Sequence, residues 1–249
     1  MAVDALGWRM KFGVIAPSTN TIVQPDFDDM RPRGVTNHFS RIHIPNNPLN
    51  NDADFEQLMV NIRRELAAAV DRVVTCEPGY IIMGMSSETF WDGVEGSVRF
   101  RERVESQAGL RISMGSDASQ EALRRYGDIK RLGVITPYMP VGDGNVRKFF
   151  EDSGFEVARL KGLRCASPIA IAEVPESTLR AAIMEVNGDD IDAIIQVGTN
   201  LSMARLAAAA EEFLGKPVIA INTATYWHAL RNNGIDDKIE GFGRLLSEF

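Results

Sequence analysis

The residues of this 249-residue chain that could do chemistry are hydroxyls and amides gathered just after short apolar runs. Phe12-Gly13-Val14-Ile15-Ala16 opens into Pro17, Ser18, Thr19, Asn20 and Thr21. Tyr80-Ile81-Ile82-Met83 opens into Gly84, Met85, Ser86, Ser87, Glu88 and Thr89. Leu132-Gly133-Val134-Ile135-Thr136 is followed by Pro137 and Tyr138, and Ala193-Ile194-Ile195-Gln196-Val197 by Gly198, Thr199 and Asn200. Loops of this composition carry few charges but many donors, and so suit a small anion such as a carboxylate. Donors aimed at developing negative charge would each lower a barrier by about 3 kcal/mol. The same residue types have a plainer use. Asn20, Ser86 and Ser87 could cap the helices that follow them, and Tyr138 could simply pack its ring.

The apolar runs come in two matching pairs, Gly13 returning as Gly133 and Ile81 as Ile194 at similar spacing. Two copies of one α/β unit facing each other bring their loops together across a cleft. Strands are predicted near 11–16, 38–44, 80–84, 111–115, 131–136, 156–161, 192–197 and 217–222. Amphipathic helices are predicted over 55–74, 98–106, 120–126, 146–152, 177–187 and 202–213. In the first of these, Phe55, Leu58, Met59, Ile62, Leu66 and Val70 recur at helical spacing, with Asp54 a candidate cap. Such alternation calls for parallel sheets covered on both faces. Eight strands could close as a barrel, but a repeat of four units favours two open sheets. The expected fold is α/β, with two pseudo-symmetric domains, each a four-stranded parallel sheet flanked by helices. The domains are expected over 1–118 plus 223–249 and over 119–222, with the break near 116–120. No linker rich in Pro, Gly or Ser separates them, so they should dock closely, with the active site at their interface. Ligands of open parallel sheets sit beyond the carboxyl ends of the strands, which adds the loops at 43–47, 116–117, 164–167 and 222–225.

Composition excludes several classes. A chain 45% apolar and 24% charged is an ordinary globular protein, and a net charge of −7 argues against nucleic acid or anionic membrane as partners. No apolar run approaches the roughly 18 residues of a membrane span. The first ten residues carry no apolar leader. Cys76 and Cys165 lie far apart with no CxxC, which favours reduced thiols and a cytoplasmic location. His38, His43 and His228 lack metal-ligand spacing, and there is no HExxH, so no metal is expected. The Gly-rich phosphate signatures are absent, which disfavours a nucleotide cofactor.

The loop from Ala16 to Thr21, the segment from Met83 to Gly93, the ending at 217–227 and the closing run Gly241-Phe242-Gly243-Arg244-Leu245-Leu246 carry a resemblance. Together they resemble the maleate isomerase and arylmalonate decarboxylase group of the aspartate/glutamate racemase superfamily. The resemblance implies two pseudo-symmetric domains with the site between them. It implies enolate-type chemistry on a small carboxylate or dicarboxylate with no cofactor, in a homo-oligomer. It implies that Asn20 and Tyr138 contact a substrate carboxylate, while Ser86, Ser87 and the amides of Gly198 and Thr199 form an oxyanion site. Relatives use a cysteine at a strand end in each half; by motif register those positions here are Gly84 and Val197. Arylmalonate decarboxylases share the first glycine but keep the second cysteine. Without the thiols, two-base racemisation lacks its acid and base, and thiol addition to a double bond lacks its nucleophile.

Three other residues are candidates for moving the proton. Cys165 follows the second strand of its half, although small buried cysteines are common. His43 occupies the matching place in the first half, although a lone loop histidine is often structural. Glu88, in the best-matched loop, could activate a water if its pKa were raised, or simply be a solvated helix-start glutamate. Cys76 precedes a strand, at the far end from the loops, and His228 reads as packing or capping. The expected function is a cofactor-independent, isomerase- or decarboxylase-like enzyme acting on a small carboxylate through an enolate-type intermediate. The alternatives are a hydrolase using the same oxyanion site with water activated by Glu88 or His43, or a non-catalytic carboxylate-binding protein.

Overall fold

Val, Ile and Leu fill the central strand runs with no alternation of polar residues, the pattern of strands covered on both faces. The computed structural model, which describes residues 4–249, buries them in that way. Residues 1–3 of the expected first domain lie outside the described residues. β1 (Met10–Pro17), β2 (Val35–Ile42), β3 (Tyr80–Met83) and β4 (Ile112–Ser113) form a parallel sheet in the order β2-β1-β3-β4. β5 (Arg131–Thr136), β6 (Glu156–Gly162), β7 (Ala193–Gln196) and β8 (Val218–Ala220) form a second, in the order β6-β5-β7-β8. Counted from its own first strand, each half has the same order, so the repeat in the sequence is a repeat of topology. It holds down to single hydrogen bonds. Ile15 pairs with Met83, and Gly84 N donates to Ile15 O at 2.8 Å. Ile135 pairs with Gln196, and Val197 N donates to Ile135 O at 2.8 Å. Gly84 and Val197 are therefore equivalent positions at the carboxyl ends of β3 and β7.

The connecting helices are α1 (Val23–Asp29), α2 (Asp52–Val74), α3 (Gly93–Ala108), α4 (Gly115–Arg125), α5 (Pro140–Asp152), α6 (Glu176–Val186), α7 (Ala204–Leu214) and α8 (Ile221–Arg231). A short α9 (Arg244–Ser247) follows. The apolar stripe of α2 rests on β1 and β2, with Phe55, Met59, Ile62, Leu66 and Val70 buried. Asn51, rather than the expected Asp54, caps it. Asn51 Oδ1 accepts from Asp54 N at 3.0 Å, and Asp54 Oδ2 turns back to accept from Asn50 N at 2.8 Å. An N-cap of this type contributes about 1 kcal/mol.

Two expected loops are helical. Residues 116–117 lie inside α4, and 222–225 lie in the first turns of α8, where every residue is buried. Asn222, Thr223 and Thr225 are weak helix formers, and no side chain caps α8. Packing against α4, β3 and β4 decides their conformation instead. The halves meet along a seam where α3 lies against α5. Phe90, on the 3₁₀ turn Ser87–Phe90, meets Phe149 edge-on at 5.0 Å between ring centroids. Pairs of this kind add about 0.5–1.5 kcal/mol beyond area burial. Leu49 N donates to Ala166 O at 2.7 Å, which ties a loop of one half to a loop of the other, and Val141 N donates to Asp52 Oδ1 at 2.9 Å, which ties the start of α5 to the start of α2.

Candidate active site

At the seam, the loops after β1, β3, β5 and β7 surround one cleft. The end of β5 aims Tyr138 into it. Thr136 Oγ1 accepts from Tyr138 N at 3.1 Å and donates to Asp143 Oδ1. Arg164, at φ 55°, donates to Asp143 Oδ2 at 2.5 Å and to Tyr138 O. Burial raises the Asp143 carboxyl above its usual range, opposed by these Thr136 and Arg164 bonds. With its backbone held on both sides, Tyr138 lays its ring beside Phe55, centroids 5.3 Å apart, and its hydroxyl reaches Ser86 Oγ at 2.7 Å. Burial drives the phenol's pKa well above its ordinary value, so it stays a neutral donor.

Ser86 Oγ also accepts from Thr199 N at 3.2 Å. Thr199 Oγ1 in turn donates to Gly84 O at 3.2 Å and accepts from Asn20 Nδ2 at 3.0 Å. Asn20 serves the capping use and also reaches across to the other half. Its Oδ1 accepts from Ile22 N and Val23 N at 3.0 and 2.9 Å, at the start of α1, while its Nδ2 crosses the seam. Asn200 returns the contact, Oδ1 accepting from Thr21 N at 3.0 Å. Asn20, Ser86, Tyr138 and Thr199 are all buried. The turn at Gly198 has φ +120°, and a Cβ there would lie 2.6 Å from Pro137 Cδ, so this loop folds down only with glycine. Gln196 Nε2 closes the turn on Gly198 O at 2.8 Å. Among the described residues, the amides of Ser86, Ser87, Gly198 and Asn200 donate to no protein acceptor. They are donors still to be used.

The opposite wall is apolar. Phe55, Leu58 and Ile62, on one face of α2, join Ile44 and Ile171 there, and Tyr138 is the one ionisable side chain in the lining. The cleft thus offers neutral donors and a low-dielectric wall, a combination that favours charge formed inside it.

The structure brings together Asn20, Ser86, Ser87, Tyr138, Gly198 and Thr199 around this cleft and leaves Glu88, His43 and Cys165 out of its lining. Glu88 points the other way, its Oε1 2.6 Å from Arg63 Nε, into a separate cavity with Arg99 and Arg103. Burial raises its pKa, opposed by Arg63. His43 stands exposed beyond β2. Cys165 is buried, and the burial pushes its thiol to about 11, far from a reactive thiolate. Gln196, Asn200 and Arg164 shape the site with no motif to announce them; only their nearness to strand ends gives a signal. Among the described residues, no group of three or more His, Cys, Asp or Glu is placed to hold a metal ion, and no helix is long and apolar enough to cross a membrane.

The profile of the family described as arylmalonate decarboxylase matches residues 47–246. The maleate isomerase of Nocardia farcinica is 25% identical over 246 residues, covering 96% of this chain and 96% of that protein. A solved structure of the Nocardia farcinica maleate cis-trans isomerase, a cysteine-to-serine mutant with a covalently bound succinylcysteine intermediate, superimposes with a TM-score of 0.86 at 21% identity. It spans 96% of this chain and 98% of its own. The crystal structure of arylmalonate decarboxylase gives a TM-score of 0.76 at 19% identity, over 96% of this chain and 100% of its own. These likenesses establish the shared two-sheet fold.

Proposed function

The chain belongs to the arylmalonate decarboxylase family, and from that membership we propose a cofactor-independent isomerase- or decarboxylase-like enzyme that removes a carboxylate from a small substituted malonate. The observation that carries this reading is the make-up of the cleft: neutral donors from both halves, an apolar wall, and Tyr138 as its one ionisable side chain. The carboxylate that stays is received by the amides of Ser87, Gly198 and Asn200 and by the Ser86 and Tyr138 hydroxyls. The substituent lies against Phe55, Leu58 and Ile62. Cleavage of the bond from Cα to the departing carboxylate leaves its electron pair on Cα and releases CO₂. The pair spreads onto the remaining carboxylate as an enediolate. Donors already aimed there gain strength as the charge arrives, about 3 kcal/mol each. One proton must then reach Cα. Tyr138 carries it, and its phenolate recovers a proton from solvent through Ser86.

Isomerisation through a thiol adduct is less well supported. The Nocardia farcinica structure carries a succinylcysteine, whereas Gly84 and Val197 stand where the resemblance expects thiols, and neither Cys76 nor Cys165 lines the cleft. A hydrolase would need Glu88 or His43 beside the cleft, and both lie outside its lining. A cytoplasmic homo-oligomer completes the proposal. Phe213 on α7 is 82% exposed and Met184 on α6 is 56% exposed, apolar surface of the kind that such an assembly covers. Sedimentation measures it.

The experiment offers purified protein phenylmalonate, methylmalonate and maleate. Expected are CO₂ and the monocarboxylic acid from phenylmalonate, with no fumarate from maleate. Fumarate formation, or ester hydrolysis without CO₂ release, would overturn the reading.

A further inference from the structure

We propose that Asp26 and Asn222 are positioning residues for the Thr199 loop: ionised Asp26 holds Asn222 in the orientation that clamps Thr199, and protonation of Asp26 releases the clamp. The inference rests on the reading of the cleft as the reaction site, and it concerns how that site is regulated.

Asp26 lies in the first turn of α1, and Asn222, only 2% exposed, in the first turn of α8. Asn222 Nδ2 donates to Asp26 Oδ2 at 2.7 Å and to Thr199 O at 3.0 Å. Both protons of that amide are spent. Turning the amide over would set its oxygen against two acceptors, so ionised Asp26 and the Thr199 carbonyl together dictate its orientation. Thr199 N then donates to Ser86 Oγ at 3.2 Å, and Ser86 Oγ meets Tyr138 OH at 2.7 Å. Asp26 is thus joined to the cleft through Asn222 and the backbone of Thr199, whose carbonyl takes the Asn222 bond and whose amide gives the Ser86 bond.

A second observation points to a switch. Asn222 Oδ1 is buried with no partner, and buried polar atoms are seldom left so. A protonated Asp26 is a donor as well as an acceptor. Its O–H can be satisfied by Oδ1 once the amide turns, and the turn withdraws Nδ2 from Thr199 and brings two oxygens face to face there. The Thr199 carbonyl is freed, and the Thr199–Asn200 peptide, which carries the free Asn200 amide into the cleft, loses its hold. Burial pushes the Asp26 carboxyl up to about 6, opposed by the Asn222 bond. The charged groups acting on it are Asp29, which raises it, and Arg205, which lowers it; these two pair with each other at 3.0 Å. α8 faces it with the neutral Asn222. On β2, Arg41 is engaged by Gln24 and by the carbonyls of Pro17 and Asn20.

The test has two arms. In the first, the amide resonance of Thr199 is followed against pH in the wild type and in Asp26→Asn. It should titrate with a midpoint near that of Asp26, about 6, in the wild type and stay flat in the variant. In the second, kcat for phenylmalonate should fall about tenfold between about pH 7 and pH 5 in the wild type, as the ionised fraction of such a group does. In Asp26→Asn it should change less than about twofold over that range, while Asn222→Ala lowers kcat at both pH values with KM held within about threefold. A Thr199 amide that ignores pH, or that titrates equally in Asp26→Asn, overturns the proposal, and so does an acid limb that persists in the variant. If the wild type decarboxylates nothing, the functional reading fails by itself, and the Thr199 titration alone decides for or against the clamp.

Discussion

Ser86 Oγ and Tyr138 OH lie 2.7 Å apart, and they come from opposite halves of the chain. One follows the central strand β3 and the other the strand β5, so the contact exists only because two copies of one topology face each other. It supplies a hydroxyl pair at the centre of an otherwise uncharged cleft. The proposed chemistry follows from that pair, with the unspent amides of Ser87, Gly198 and Asn200 around it.

Tyr138→Phe removes the assigned proton source and one donor while keeping the ring against Phe55. We expect kcat to fall about 10²–10³-fold, the loss seen when an oxyanion donor is deleted. Stability should drop by only about 1 kcal/mol, the net value of one hydrogen bond. Steady-state kinetics beside a urea titration measures both. Wild-type kcat in the variant would remove Tyr138 from the mechanism.

Glu88 and Cys165 should prove dispensable for turnover. Glu88 is held by Arg63 at 2.6 Å, facing away from the cleft, and Cys165 is a buried thiol pushed up to about 11. Glu88→Gln and Cys165→Ala are each expected to keep kcat/KM within about threefold, under 1 kcal/mol of barrier. A loss of a hundredfold in either variant would restore that residue to the chemistry and displace Tyr138.

Asp26 gives a pH-dependent stability whose sign is fixed by its shift. Its folded pKa, about 6, stands above the ordinary 3.8, so the folded state binds the proton more tightly than the unfolded one. The stability this contributes is fully present below the unfolded value and is lost as pH rises through the folded one. Asp26→Asn removes the buried charge. We expect it to stabilise the protein by about 1–2 kcal/mol near pH 8, discounted for the group's partial exposure, and by almost nothing near pH 4. Urea unfolding at the two pH values decides, and an equal gain at both would refute the assignment.

The fold was legible because fully covered parallel strands read as unbroken apolar runs, and because the runs recur in the same order: Ile81 and Ile194 both sit on central strands. The cleft loops were legible for the same reason, since a residue following such a strand has few other places to be. What the sequence concealed is pairing at a distance. Nothing near Glu88 announces that Arg63 will turn it away from the cleft, and Asp26 and Asn222 are 196 residues apart. Residues 222–225 read as a loop because amide and β-branched residues are poor helix formers; only the burial of α8 against its neighbours makes them helical. The expected cap at Asp54 missed by one turn, because Asn51 accepts from the Asp54 amide while the Asp54 carboxylate reaches back to the amide of Asn50.

The account stands or falls on where a carboxylate binds. A crystal structure with phenylacetate, the product of the proposed reaction, measures this directly. We expect its carboxylate within about 2.7–3.1 Å of the Ser87 and Gly198 amides and the Tyr138 hydroxyl, with its ring against Phe55 and Leu58. A carboxylate found instead beside Arg63 and Arg103, in the cavity that Glu88 lines, with the cleft between the halves unchanged, would contradict it.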